Sequence, residues 1–519
     1  MPKPILTRRT LIGGLTTAWL ATYGSTAVAA ATPFTQGVAS GDPASDGFVL
    51  WTRLAPDPLA VDGLGGMTAP ATVRWTVFAD DALQKPVASG DVTTDSATAH
   101  SVHAEVHGLK ADRPYWYHFE ALGVQSPAGR ARTLPLPTGT PAQLTLAVAS
   151  CSNYEKGYFS AYRHMTTESP DFILFLGDYI YETSQADPTG LPRRHDRPGE
   201  VHDLSGYRNR YALHHLDPDL QALRAASTAL MTWDDHEVQN DYGGFLSLNM
   251  RDDVTMVARR AAAYQAYYEA MPLRRSSRLI GNHLDLYKSY RFGHLAEIHM
   301  LDGRQYRSAA ACPVGDSRKT HVAAATCTER LDPSRSMLGQ AQENWLYDRF
   351  ARNDTGWTLL GQDVLMAPFL QKGYTKDGSV VYGHSTDTWD GYPATRDRVL
   401  DAMLRTRLKN PVVLSGDLHS FWANDLKRMP DGPTVATEFL GAAITSDGVN
   451  YRDFSETLPQ NPHVRYFNSR TQGYMSLTLR PDHLETRFMA ISDRADRNAT
   501  VAIEKRFVVE SGKPGVIVS

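Results

Sequence analysis

Four short apolar runs in this 519-residue chain stop abruptly at clusters of polar, chemistry-bearing residues. Leu144-Thr145-Leu146-Ala147-Val148 leads into Cys151-Ser152-Asn153, and Phe172-Ile173-Leu174-Phe175-Leu176 into Gly177-Asp178-Tyr179-Ile180-Tyr181-Glu182. Leu230-Met231-Thr232-Trp233 runs into Asp234-Asp235-His236-Glu237, and Val412-Val413-Leu414 into Gly416-Asp417-Leu418-His419. Continuous apolar runs of strand length predict strands buried on both faces, as in a layered α/β sheet. In such a sheet, ligand sites form where strands deliver side chains at their carboxyl ends, so the four clusters are predicted to converge on one crevice. Taken singly, an Asp after a strand is usually a cap or turn residue; the joint order of the four carries the argument.

The chain is too long for one ordinary core, and its texture changes near a Pro-rich stretch at 134–141. Residues 34–137 carry short runs rich in β-branched and aromatic residues, such as Phe48-Val49-Leu50-Trp51-Thr52 and Tyr115-Trp116-Tyr117-His118-Phe119, separated by Gly, Pro and Asp. They predict a small antiparallel β-sandwich whose stretch from Gly108-Leu109-Lys110 to Tyr115 is similar to the tyrosine corner of fibronectin and immunoglobulin-like domains. Residues 143–519 are predicted to form the α/β layered domain, with helices over 213–226 and 254–269.

The first 29 residues read as an export signal: Arg8 and Arg9 precede an apolar stretch over 11–20, and Ala27-Val28-Ala29 is a small-x-small cleavage pattern. A twin-arginine signal implies passage through the twin-arginine translocation machinery to a secreted or periplasmic location. Its removal takes away Lys3, Arg8 and Arg9 and no acid, moving the net charge from −4 to −7. That balance argues against specific nucleic-acid binding, which needs a basic face. No apolar run beyond the signal is long enough to span a bilayer. Of the three cysteines, Cys312 and Cys327 are near enough in sequence to close one loop, with their pairing left open, while Cys151 stands at a strand end.

The order of the four clusters resembles that of the calcineurin-like metallophosphoesterases, in which successive strand ends carry an Asp, a GDxxD or GDxxY element, a GNHE element and a GHxH element. Here Gly177-Asp178…Tyr181, Asp235-His236-Glu237 and Gly416-Asp417-Leu418-His419 match the last three, and Cys151 replaces the first Asp. These departures, with Leu301-Asp302-Gly303-Arg304-Gln305-Tyr306-Arg307 and Trp389-Asp390-Gly391-Tyr392-Pro393, resemble the PhoD-like alkaline phosphatases over most of the chain after the signal.

The resemblance implies Fe(3+) held by Cys151, Asp178, Tyr181 and His419, a set of anionic and imidazole ligands that favours an oxidised metal. It implies Ca(2+) at a harder site made by Asp178, Asp235, Asp417 and Asn240. It further implies hydrolysis of phosphomonoesters and phosphodiesters at alkaline pH, by attack of metal-bound hydroxide on phosphorus, with Asp235 and His236 in the catalytic centre. His236 is placed to hydrogen-bond the phosphate or its leaving oxygen; the competing reading is a histidine that orients Asp235. Arg304 reads equally as a phosphate clamp and as a structural ion pair. Three further readings compete: a phospholipase D-type diesterase on phospholipid head groups, the same fold using zinc or manganese with Cys151 as a bystander, and a non-catalytic surface-binding protein.

Overall fold

The apolar runs form strands whose alternate side chains enter different cores. In Phe172–Leu176, Phe172, Leu174 and Leu176 face one core and Ile173 and Phe175 another, which is why every residue of the run is apolar and buried. The computed structural model describes residues 32–187, 189–247, 254–312, 322–324, 326–374 and 378–518. The export signal over 1–29 lies outside the described residues.

Leu144–Ala149, Phe172–Leu176 and Thr228–Thr232 pair in parallel at the middle of a ten-stranded sheet. Antiparallel strands from the C-terminal region, Gly473–Leu479, His483–Ile491, Val501–Glu510 and Lys513–Val518, extend it on one side. A seven-stranded sheet lies against it, built around parallel Ala296–Met300, Trp357–Gly361, Pro411–Ser415 and Thr434–Leu440. Leu146, Val148, Leu174 and Leu230 from the first sheet meet Ile298, Met300, Leu359, Val412 and Leu414 from the second in one buried core.

Helices close the outer faces. Ser160–Glu168, Leu204–His215, Pro218–Ala226 and Val254–Ala270 pack Tyr162, Tyr211, Leu223, Tyr264 and other rings on the first sheet. Gly339–Arg352 and Pro393–Arg405 place Leu346, Phe350, Val399 and Met403 on the second. The architecture is therefore helix, sheet, sheet, helix. The helix expected over 213–226 is two helices, because the Asp217 carboxylate accepts from the backbone N–H groups of Asp219 and Leu220 and Pro218 opens a new helix.

The N-terminal region also departs from expectation. Ala71–Phe78, Pro86–Thr94, Pro114–Ala121, Val124–Gln125 and Gly129–Arg132 form a five-stranded antiparallel sheet of their own. Val38–Ala44, Gly47–Arg53 and Ser101–Val106 instead continue the ten-stranded sheet, with Ser40 and Gly41 in parallel register with Thr228 and Ala229. The sandwich thus shares one of its sheets with the α/β region, and residues 32–519 make one unit. Pairing Thr228–Thr232 with the first N-terminal strand removes an open edge that would otherwise present unpaired backbone groups. The core between the two sheets holds Phe48, Leu50, Val73, Val102, Tyr117 and Phe119. At the corner, the Tyr115 hydroxyl accepts from Lys110 N at 2.8 Å and donates to Lys110 O at 3.2 Å. No helix among the described residues is long and apolar enough to cross a membrane.

Candidate metal centre

Strand ends from both sheets meet. Cys151, Asp178 and Asp234-Asp235 follow three parallel strands of the first sheet; Asp302 to Arg304, Asp363, Asp417 to His419 and Ser446 follow strands of the second. The sheets are sewn together at this edge: Thr232 Oγ1 donates to Leu301 O at 2.6 Å, Trp233 Nε1 to Asp302 Oδ1 at 3.0 Å, and Ile444 N to Ser150 O at 3.0 Å. The four clusters expected to converge do so.

Cys151, Asp178 and His419 place ligand atoms within 4.8 Å of one another. The Tyr181 hydroxyl donates to Asp178 Oδ2 at 2.9 Å, lies 3.1 Å from His419 Nε2, and accepts from Ser446 Oγ at 2.7 Å. His419 Nδ1 sits 2.8 Å from the carbonyl oxygen of Asp447, which can only accept, so in the neutral ring Nε2 carries the lone pair. A second group, Asp178, Asp235 and His236, also lies within 4.8 Å, and Asp178 belongs to both.

Two members of the expected second site stand apart from that triplet. Asp417 belongs to neither group of three; its carboxyl is pushed well up by burial and by the charges of Asp387, Asp235 and Asp178. Asn240 is tied to the loop by its N–H, 2.9 Å from Glu182 Oε1, and its side-chain amide donates to Asp241 Oδ2 at 2.6 Å.

Backbone geometry marks the same residues. Cys151, Asp178, Asp417 and His419 all have left-handed φ, at 61°, 51°, 70° and 50°. For residues with a Cβ this costs about 1 kcal/mol or more each, and such strain gathers at functional sites. Gly177, at φ 96°, precedes Asp178 where any side chain would collide with Asp234, so the turn that presents Asp178 needs a glycine.

The electrostatics are those of a cation site. Burial raises the Asp235 carboxyl to about 7 against the pull of Arg304, and Asp235 Oδ1 is buried without a hydrogen-bond partner. Burial and Asp178 push the Cys151 thiol well up. Burial opposes ionisation of Asp178 too, but His236 and His419 hold it below the usual carboxylate range. Carboxylates and a thiol gathered this closely could hold a metal ion, whose charge would offset the burial that otherwise keeps them protonated. Thiol, phenol and imidazole suit a transition metal, and the carboxylates on the other side of Asp178 suit a hard one.

Arg304 corrects the phosphate-clamp reading. It is fully buried; Nη1 and Nη2 grip Asp387 at 2.8 and 3.0 Å, Nε reaches Asp234 Oδ1 at 2.5 Å, and Asp363 lies at 3.5 Å. The guanidinium is committed to carboxylates, so the ion-pair alternative holds, with these partners rather than Asp302. Two carboxylates within the motifs had no role assigned from sequence. Glu237 accepts from the N–H groups of Asp178, Tyr179 and Asp234, at 3.1, 2.6 and 3.0 Å, tying two strand ends together. Glu182 Oε2 lies 2.6 Å from His236 Nδ1. Asp363 was missed altogether; its signal is the apolar run Trp357-Thr358-Leu359-Leu360 just before it.

Comparison with known proteins agrees with this geometry. Residues 146–488 match the family model for the PhoD-like phosphatases, and residues 20–135 match that of their N-terminal domain. Alkaline phosphatase D of Bacillus subtilis (strain 168) is 38% identical over 493 residues, covering 93% of this chain and 82% of that protein. A solved structure of PhoD overlays with TM-score 0.85 at 38% identity, covering 94% of this chain and 92% of that one. These likenesses extend over the strand ends that carry Cys151, Asp178, Asp235 and His419, and they remove the non-catalytic reading. The chain belongs to the PhoD-like phosphatase family and is a phosphatase-type hydrolase.

Proposed function

We propose that the chain is an exported phosphoesterase, active at alkaline pH on phosphomonoesters and phosphodiesters, with Fe(3+) held by Cys151, Asp178, Tyr181 and His419 and Ca(2+) held by Asp178, Asp235, Asp417 and Asn240. The observation that carries this reading is the pair of ligand groups sharing Asp178, one containing a thiol, the other built from carboxylates with a histidine at its edge. When bound, such cations lower the pKa of water and neutralise charge on the phosphoryl oxygens.

The chain's own residues do the rest. Glu182 accepts from His236 Nδ1 and so leaves Nε2 as the ring's other donor, in a residue grouped with Asp178 and Asp235. Burial works against a charged imidazole there, but Glu182, Asp178 and Asp235 outweigh it and favour the protonated ring. Nε2–H is then the donor for the departing alkoxide oxygen. Tyr181 packs its ring 4.2 Å from that of His236, fixing its plane.

Export is supported by Arg8-Arg9, the apolar stretch after them and Ala27-Val28-Ala29. The Cys312–Cys327 disulfide fits an oxidising compartment.

The test is hydrolysis of bis-p-nitrophenyl phosphate and p-nitrophenyl phosphate by the folded protein at alkaline pH, with and without a calcium-selective chelator. Activity removed by the chelator and restored by calcium is the expected result. No turnover of either ester, in protein shown to carry its metals, would overturn the reading.

A further inference from the structure

Beside the metal centre lies an open cleft of about 350 Å³, within the usual range for a small-molecule site. None of the proposed ligands lines it, but its wall is built by their immediate neighbours in the chain. Leu418, in its wall, is the residue between Asp417 and His419, and Thr388 follows Asp387, which grips Arg304. Val449 and Asn450 follow shortly after Asp447, whose carbonyl orients His419.

The lining is apolar where it is accessible. Leu365 and Phe369 are buried at its base, whereas Leu418, Val449 and Phe454 are only partly covered. Phe369 and Phe454 lie parallel, ring centroids 5.4 Å apart, giving the cleft a flat aromatic wall. Its charges are already matched: Lys372 Nζ lies 3.2 Å from Asp453 and 3.0 Å from Glu456, and Asp390 pairs with Arg396 at 2.7 Å. Among the described lining residues, then, no cation is left to bind a second phosphate. Such a surface favours an uncharged, flat apolar group over a polyanion.

We propose that this cleft is the subsite for the organic substituent of the ester, and that it selects aryl or similarly apolar substituents while the phosphoryl group sits at the metal centre. The proposal rests on the phosphoesterase reading above and adds what that reading leaves unspecified, the class of group attached to the phosphorus. Phe454, Val449 and Tyr374 are specificity residues in this scheme; Tyr374 holds the rim by donating to Asp453 at 2.9 Å.

Competitive inhibition separates recognition from reactivity. Benzylphosphonate and methylphosphonate present the same charged head with and without a ring. Burying the ring is expected to make benzylphosphonate about tenfold the tighter inhibitor of the metal-loaded enzyme. Phe454→Ala and the milder Val449→Ser should each cut that preference to about twofold or less, with the methylphosphonate inhibition constant unchanged. Val449→Ser guards against loss of the Phe369 stack, and circular dichroism with metal content confirms that both variants fold. Equal binding of the two phosphonates by the unaltered enzyme overturns the proposal, as does a preference that neither variant changes. Hydrolysis of p-nitrophenyl phosphate or bis-p-nitrophenyl phosphate in the same preparation keeps the two readings distinguishable: turnover of either without ring preference sinks the subsite alone, and turnover of neither sinks both.

Discussion

Two groups of buried carboxylates stand side by side at the carboxyl ends of the two sheets, and they are balanced by different means. Asp234, Asp363 and Asp387 surround Arg304, a cation that is part of the chain. Asp178 and Asp235 reach the edge of that cage, with Asp235 3.8 Å from Arg304, but their other neighbours are a thiol, a phenol and histidines. One group is tied down by two arginines of the chain, Arg304 and Arg307, and serves as a rigid wall. The other is faced mainly by the histidines His236 and His419, an arrangement in line with the proposed binding of a cation from outside. The difference teaches that clustered acid alone does not mark a metal site; the marker is acid whose close neighbours are thiol, phenol and imidazole rather than guanidinium.

The largest effect is expected on the open group. Asp178→Asn removes the carboxylate common to both ligand sets and should lower kcat/KM by about a thousandfold or more, with loss of both metals by elemental analysis. Retention of both metals with near-normal activity would break the distinction at its centre.

The closed group should answer in stability rather than chemistry. Arg304→Met leaves Asp234 buried without its guanidinium partner and Asp387 with Arg307 in place of two arginines, and should cost about 3–5 kcal/mol in denaturant unfolding of the metal-loaded protein. A change below about 1 kcal/mol would mean that the cage is not held by this guanidinium.

Between the two lies Glu182, which touches the reacting side through His236 and through the N–H of Asn240. Glu182→Gln is expected to lower kcat by about 10–100-fold while leaving the thermal midpoint and metal content nearly unchanged. Its pH profile should show the alkaline limb set by the His236 proton moved to lower pH; an unchanged profile would assign Glu182 a purely structural part.

The smallest effect sharpens the contrast by pH. Burial raises Asp235 from 3.8 to about 7 and Glu237 from 4.5 to about 8. In the metal-free protein, the folded state keeps these protons over a window in which the unfolded chain has already released them. Stability of that form is therefore greatest below about pH 4 as far as these two groups are concerned, and declines as pH rises toward 8. Differential scanning fluorimetry of chelated protein should show this decline, and metal loading should flatten it. A chelated protein whose midpoint rises over the same window would contradict the sign.

Much of this was legible in the chain because the signals were local. An apolar run followed at once by Asp, His or Cys specifies both a buried strand and what it delivers, and the spacing of Tyr181 from Asp178 put both on one turn, where the hydroxyl and carboxylate are bonded. The tyrosine corner was equally local. What could not be read depended on partners distant in sequence. Arg304 beside Asp302 looks the same whether it meets a phosphate or Asp234 and Asp387. The parallel pairing of Ser40 with Thr228 leaves no trace in either segment, so the N-terminal region looked free-standing. The break within 213–226 was missed for a different reason: Asp217-Pro218 is a local start signal that the apolar periodicity outweighed.

The left-handed turns at Cys151, Asp178, Asp417 and His419 bear on how such an enzyme can change over time. Each holds the side chain of a proposed ligand on backbone that glycine would adopt more readily, so replacement by glycine would relax the turn while deleting that group. A library of this chain selected for thermal stability alone should therefore accumulate glycine at these four positions. The route from working enzyme to well-folded inert scaffold is short and energetically downhill, and only selection on turnover keeps the chain from taking it.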